Sequence, residues 1–392
     1  MDLYWLWFSL LPGIPLKKKL SLLARFGSPE ALYRTEEKPQ SMEPALWKAI
    51  QNKSLDRAIQ VSEECRRKGI GLLAIHDPRY PSPLKNIQDP PLLLYWLGNL
   101  PDLSSRPRVG VVGTRRASGY GLQIARTMGF QLTAHGATVI SGMAKGIDGA
   151  AIQGALDAGG SPIGVLGTGV DVVYPKCNAG LFSCVMERGC LFSEYPPGTP
   201  GANWTFPQRN RIISGLSDSV LVVEAPRNSG AIITARRALE QGRQVFAAPG
   251  HVGEAGFVGS LELMRDGAEL AVCGWDILKH LEARYPGKLM KEIPTVPELL
   301  EVPNLQEPPK APGKTKKADH RPAPVAAEKP KPPEDLTPME KALYRVLTPD
   351  PQDVDVLIGL SGLSAGEFMS ALTMLQLRGI AERHPDAMVS FR

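Results

Sequence analysis

Residues 109–112 form an apolar run that breaks at Gly113-Thr114, and Arg115, Arg116, Ser118, Gly119 and Gly121 follow before a helical pattern sets in over 122–132. A short run apolar on both faces reads as a buried parallel strand. A strand that passes through a glycine turn into a helix leaves free backbone N–H groups at the helix start, where anions bind. Arg115 beside that turn adds a forked donor matched to phosphate. The stretch fits neither the dinucleotide fingerprint G-x-G-x-x-G nor the P-loop G-x-x-x-x-G-K-[ST], so the phosphate chemistry it suggests is not that of a standard nucleotide site.

The same unit recurs from about residue 105 to 280. A strand over 109–112 leads to a helix over 122–134, one over 138–141 to a helix over 147–158, and one over 162–166 through GTGVDVVYPKCN to a helix over 179–188. A strand at 190–193 precedes the loop EYPPGTPGANWTFPQRN and a helix over 211–215. Strands at 219–224 and in RQVFAAPG flank the helical SGAIITARRALEQG. This rhythm predicts an α/β fold built on an extended Rossmann-type doubly wound parallel sheet. Ligands of such sheets sit in the crevice outside the strand C-termini. The candidate nucleic-acid-binding residues collect there. They are Gly113, Thr114, Arg115 and Ser118 at the first turn, Gly167, Thr168 and Gly169 with Lys176 and Asn178 at the third, and Arg209, Asn210 and Arg211 after the long loop. Asp148 is expected to cap a helix start. Glu224 is expected to hold Arg209 or Arg211.

That crevice carries no nucleophile–histidine–acid set and no carboxylate cluster for a metal, so no catalytic residue, metal or cofactor is expected. A basic crevice without catalytic apparatus suits binding a phosphodiester chain more than cutting it. The formal charge of +5 is compatible with a polyanionic partner. Five cysteines without C-x-x-C spacing favour reduced thiols in a cytoplasmic protein over disulfides or zinc. The apolar start YWLWFSLLPGIPL is brief and broken by prolines, with Lys17–Lys19 after it, the reverse of a secretory signal; no membrane association is expected.

The flanks are different. Residues 1–75 read as a small helical domain of the SAM or helix-hairpin-helix kind, with a glycine cap at Gly27 and a restart at Ser28-Pro29. His76 is read as structural. Residues 76–285 form the core, and 286–335, rich in proline and lysine, a disordered linker. From 336 to 392 the pattern of helices, a turn and two strands predicts a winged-helix module. Its candidate recognition helix, 364–378, is poor in basic residues, which points away from major-groove reading. The wing turn falls at Pro385-Asp386.

GTRRASGYG, SGMAKGID, GVLGTGVDVVYPKCN, SEYPPG, FPQRNRIISGLSDSVLVVEA, SGAIITARRALEQGRQVFAAPG and DGAEL follow one another in the order of the DprA/Smf family. The chain resembles that family densely over about 100–272. The resemblance implies a protein that binds and protects single-stranded DNA and loads the RecA recombinase onto it in natural transformation and DNA processing, without catalysis. It implies that Arg115 and Lys176 grip phosphates, with the Gly167–Gly169 turn and Asn210 along the same groove. It implies a C2 homodimer through about 251–272, where Phe257, Val258, Leu261 and Met264 are the candidate contacts. Two departures stand out: Ile152 replaces a histidine, and Phe257, Gly259 and Leu261 replace a polar Ser-x-Gly-x-Asn pattern. Both are expected to remove polar groups near the crevice. A phosphoribohydrolase-like nucleotide-hydrolysing enzyme is the alternative, although the P-G-G-x-G-T-x-x-E segment of such enzymes is missing from the sequence.

Overall fold

The computed structural model describes residues 3–40, 42–293, 336–348, 352–384 and 388–391. The chain divides into two compact units, Met1–Lys310 and Ala311–Arg392, each described by itself. Beyond residue 293 the expected linker lies outside the described residues, as does the expected wing turn at Pro385-Asp386.

The first unit opens with α1 (Leu3–Leu10), whose Trp5, Leu6, Trp7 and Phe8 are all buried. A helix this apolar needs cover on most sides. The helices α2 (Leu16–Phe26), α3 (Pro29–Arg34), α4 (Pro44–Ile50) and α5 (Asp56–Lys68) follow it. Gly27 closes α2 at φ +79°, and Ser28 Oγ caps α3 by accepting from the Ala31 N–H at 3.1 Å. His76 lies flat on the Trp5 ring, centroids 4.6 Å apart, a structural role. The expected domain boundary after residue 75 needs correction. β1 (Gly71–Ala74) is a strand of the main sheet, and the N-terminal helices share one apolar core with that sheet. The physical reason is α1 itself, which covers its apolar surface against α3, α5 and the next strand as well.

An ion pair also ties α5 to the core. Lys68 donates to Asp171, in the loop after the fifth strand, and the Gly198 N–H donates to the same carboxylate at 2.8 Å. Burial pushes the Asp171 carboxyl up, but the Lys68 and Gly198 hydrogen bonds outweigh it and hold it below its ordinary value. A carboxylate with a depressed folded pKa adds stability above its unfolded pKa and loses it as pH falls through the folded one. Asp171→Asn should therefore cost about 1–2 kcal/mol near neutral pH. The gap between variant and parent in urea melts should close below about pH 4. A gap that stays constant with pH would assign the effect to packing alone.

After the short α6 (Ser82–Lys85) come β2 (Leu93–Gly98), β3 (Arg108–Val112), α7 (Gly119–Ala134), β4 (Thr138–Ser141), α8 (Ile147–Asp157), β5 (Ile163–Leu166), α9 (Ala179–Arg188) and β6 (Cys190–Ser193). Then follow α10 (Thr205–Leu216), β7 (Ser219–Val222), α11 (Gly230–Glu240), β8 (Gln244–Ala247), α12 (Val258–Arg265), β9 (Glu269–Leu270) and α13 (Gly274–Leu278). The sheet runs β1-β2-β6-β5-β4-β3-β7-β8-β9. It is parallel from β6 to β9, with β1 and β2 added antiparallel at one edge. β3 is buried on both faces. Val109 and Val111 join the core under α7, α8 and α13, while Val112 joins the core shared with α10 and α11. The chain steps outward from β3 through β4, β5 and β6, then returns to place β7 on the other side of β3. That reversal is the topological switch point, and it fixes where the crevice opens.

The second unit holds α14 (Pro338–Val346), β10 (Gln352–Asp353), α15 (Val354–Ser361), α16 (Ala365–Leu377), β11 (Ala381–His384) and β12 (Met388–Phe391). Thr337 and Ser364 each form a capping box with a glutamate three residues on. The three strands pair in the order β10-β12-β11, and Leu343, Leu357, Phe368, Leu372, Leu375 and Val389 fill the core. This is the winged-helix arrangement.

Candidate nucleic-acid interface

The turn after β3 is held from beneath. A Cβ on Gly113 would meet Ile147 side-chain carbons at 2.5–2.7 Å, so only glycine lets the start of α8 close over the strand end. The Thr114 N–H donates to the Glu224 carbonyl at 2.7 Å. Ser118 caps α7, its Oγ accepting from the Gly121 N–H at 3.0 Å. The Ser118 N–H and O–H both donate to the Glu224 carboxylate, at 2.9 and 2.8 Å. Glu224 thus locks the β3–α7 turn, and the expectation that it holds Arg209 or Arg211 is corrected: the end of β7 lies beside β3 and directs this carboxylate to α7. Ser118 is committed to the same lock and belongs to the frame of the turn.

Arg115 is left exposed by this frame. Its guanidinium lies 4.9 Å above the centre of the Phe206 ring, and Tyr174 packs with its ring centre 5.2 Å from that of Phe206. Gly167 makes that possible, since a Cβ there would reach Phe206 Cδ1 at 2.7 Å. Thr168 is buried, its hydroxyl donating to the Gly169 and Val172 carbonyls, and Gly169 packs against the Pro196 carbonyl. The cavity enclosed by Arg115, Gly142, Gly167, Tyr174, Phe206 and Arg209 measures only about 10 Å³.

The next turn, between β4 and α8, is equally fixed. Met143 sits at φ +58°, a conformation that needs outside support. The Asn178 amide supplies it by donating to the Met143 and Ala144 carbonyls at 3.0 and 3.1 Å. Asp148 accepts the Gly142 N–H at 3.1 Å. Burial raises its carboxyl above the ordinary range, against the pull of Arg209. Arg209 is 4% exposed and donates to the Gly142 carbonyl at 2.5 Å and to the Val165 carbonyl. Burial lowers its guanidinium to about 10, which leaves it charged near neutral pH. It is a fixed positive charge under the crevice floor.

The expected set after the long loop is largely corrected. α10 begins at Thr205, because a proline at 207 is tolerated in a first helical turn. Successive residues therefore turn by about 100° each and point different ways. Arg209 goes under the crevice. The Asn210 amide donates to the Gly230 carbonyl at 3.2 Å, holding α11. Arg211 is buried against Glu194, at 2.8 Å to both carboxylate oxygens, and Asp89, at 3.1 Å. Both side chains are engaged within the protein, and Asn210 Oδ1 also accepts from Arg209 Nε at 3.2 Å.

The cations exposed around these turns include Arg115, Lys176 in the turn before α9, and Lys145 in the turn before α8. None of the three forms a salt bridge among the described residues. The motif reading missed Lys145, Tyr174 and Phe206. The signal lay in the alternation of basic and aromatic residues in YPK and FPQR and in the lysine of SGMAKGID, a pattern proper to stacking platforms for single strands. The described residues contain no group of three or more His, Cys, Asp or Glu able to hold a metal.

Of the two departures from the family pattern, the first lies in the core and the second at the end of β7, where Gly259 packs on the Ala225 and Pro226 carbonyls. Ile152 is fully buried in the core beneath α7 and α8. Phe257 is fully buried too, packed on Gly250 and 5.8 Å from the Tyr120 ring, so it is unavailable to a second subunit. Val258, Leu261 and Met264 on α12 are half-buried.

A family model described as DNA recombination-mediator protein A matches residues 71–282, and one described as DprA winged helix domain matches 327–387. Protein Smf of Synechocystis sp. is 35% identical over 332 residues, covering 83% of this chain and 81% of that protein. DNA processing protein DprA of Bacillus subtilis is 40% identical over 219 residues, 56% of this chain and 74% of that one. The crystal structure of DNA processing protein A from Streptococcus pneumoniae superposes with a TM-score of 0.60 at 34% identity, over 71% of this chain and 98% of that one. A structure of DNA processing protein A from Helicobacter pylori, described for its single-stranded DNA binding mode, gives a TM-score of 0.50 at 28% identity over 55% and 97%.

Proposed function

The chain belongs to the DprA/Smf family of DNA-processing proteins, and from that premise we propose that it binds single-stranded DNA across the C-terminal ends of β3, β4 and β5. The observation that carries this reading is the set of three exposed cations, Arg115, Lys145 and Lys176, around the Tyr174–Phe206 rings, above the buried charge of Arg209. Cations meet phosphates, and rings take bases irrespective of sequence. In this reading the bound strand is protected and handed to RecA during natural transformation and DNA processing, in the cytoplasm, with no chemical step. The narrow cavity favours binding over the nucleotide-hydrolase alternative, since about 10 Å³ cannot enclose a nucleoside and the strand must ride over the rim. Gel shifts with single- and double-stranded oligonucleotides of equal length test the proposal. Preference for the single strand is expected, and turnover of nucleoside monophosphates without DNA affinity would refute it.

The winged-helix module is proposed to serve a partner other than DNA. Its α16 carries no Lys or Arg from Ala365 to Leu377, while Met374 and Leu377 are exposed. Deleting residues 336–392 should leave single-strand affinity within about twofold of the full chain, as phosphate contacts dominate affinity. Loss of most affinity would move the binding surface to this module.

Self-association is proposed through the stretch 251–272, with Val258, Leu261 and Met264 and without the buried Phe257. Two linked crevices would raise avidity with no new kind of contact. Light scattering of residues 1–285 should report a dimer. A strict monomer that still binds DNA at full strength would remove avidity from the mechanism.

A further inference from the structure

A second opening lies on the far side of the α10 start. It is a cleft of about 680 Å³ between the N-terminal helices and the antiparallel edge of the sheet, lined among others by Lys19, Tyr95, Tyr195, Trp204, Gln208 and Arg237. Trp204 is 60% exposed. A side chain with so much apolar surface is ordinarily covered, with its N–H partnered. It is held in place by Tyr195, whose ring meets it edge-on at 5.8 Å, and Tyr195 is steadied in turn by a 3.3 Å hydrogen bond from its hydroxyl to Gln208.

The rest of the cleft mixes apolar side chains with charged ones: Lys19 and Arg237 line it together with Asp89 and Glu194, both of which are paired with Arg211. Lys19 is 7% exposed and donates to the Ser9 carbonyl at 2.7 Å, with no salt bridge among the described residues. Burial lowers its ammonium to about 8, against the pull of nearby Glu194. An incoming phosphate would favour the charged form that burial penalises. Tyr95 is 2% exposed and forms part of the cleft wall, and burial pushes its hydroxyl well above the ordinary tyrosine range.

Position links this cleft to the crevice. Trp204 and Phe206 are two residues apart where α10 begins. Phe206 lies under Arg115 in the first opening, while Trp204 borders the second. Building on the single-strand reading above, we propose that the cleft is a second nucleotide subsite, in which a base further along the same DNA strand stacks on Trp204. Its phosphate reaches toward Lys19 and Arg237. The two openings then form one track over the start of α10, longer than the crevice alone.

The test uses the full chain, the intrinsic tryptophan emission, and oligothymidylates of about six and about twenty nucleotides, lengths that bracket the site sizes of single-strand binders. The longer strand should quench the emission, and Trp204→Phe should abolish the quench while keeping affinity. Trp204→Ala, at an exposed position that leaves the fold intact by circular dichroism, should weaken the longer strand about tenfold, the scale of one lost stacking contact, and leave the shorter one unchanged. Wild-type affinity of Trp204→Ala for both lengths would overturn the subsite. So would equal weakening of both lengths, which would make Trp204 part of the crevice. Quenching by thymidine monophosphate with no dependence on strand length would also overturn it, by assigning the cleft to free nucleotide. Arg115→Ala, run in parallel, separates the two levels. If it binds both lengths like wild type, the crevice reading itself fails; if it loses both while Trp204→Ala loses neither, only the extension fails.

Discussion

Arg115→Ala should lower affinity for single-stranded DNA by about 1–3 kcal/mol, roughly five- to 150-fold, with the fold unchanged. The side chain is exposed, so truncation leaves no cavity. The turn beneath it is held by contacts that do not involve it: Thr114 N–H on the Glu224 carbonyl, and Ser118 on the Glu224 carboxylate. The loss is therefore a loss of contact. Two contributions go together, the forked donor to a phosphate and the cation above Phe206. Arg115→Lys keeps the charge but loses the planar fork, so it should recover only part of the affinity. Fluorescence anisotropy with a labelled oligonucleotide measures both. Full activity of the alanine variant would remove Arg115 from the site.

Gly154→Val should be among the most destabilising single changes in the molecule, about 4 kcal/mol or more, large enough to prevent folding at physiological temperature. α7 and α8 pack backbone to backbone. A Cβ on Gly154 would sit 1.9 Å from the Arg126 carbonyl oxygen, and one on Gly129 would sit 2.1 Å from that of Ala151. Because the obstacle is main chain, no rotamer change relieves it, and the helices must separate. The consequence reaches the site, since α7 and α8 begin at the Arg115 and Lys145 turns. Gly180→Ala in α9 is the control. A Cβ there would meet nothing within 4 Å, so the change should be neutral or stabilise by up to about 1 kcal/mol. Chemical denaturation of the two variants measures the contrast. Equal stability would mean that the α7–α8 contact is loose.

The sheet was legible because its strands are apolar runs closed by glycine turns, and each pattern is local. The runs at 109–112, 138–141 and 190–193 coincide with β3, β4 and β6 to within one residue. The Arg115 turn was legible for the same reason. The fates of Arg209, Asn210 and Arg211 were not, because they depend on where α10 begins, and Pro207 reads as a break although a first turn accepts it. One turn of helix decides which of three adjacent polar residues faces ligand, core or neighbour. Phe257 was misread for a related reason. A short apolar cluster looks the same whether it meets a partner or its own Gly250. The sharing of one core by the N-terminal helices and the sheet was also hidden, since long-range burial of Trp5 and Phe8 leaves no local pattern.

Where the strand lies can be tested by photocrosslinking a bromodeoxyuridine-substituted single-stranded oligonucleotide to the full chain and locating the adducts by peptide mass spectrometry. Adducts are expected on Tyr174 and Phe206, at the C-terminal ends of the central strands, and should disappear at salt concentrations that release the DNA. Adducts confined to residues 336–392, or to Tyr285 beside Arg108 and Asp218 at the opposite ends of β3 and β7, would contradict a crevice that binds DNA.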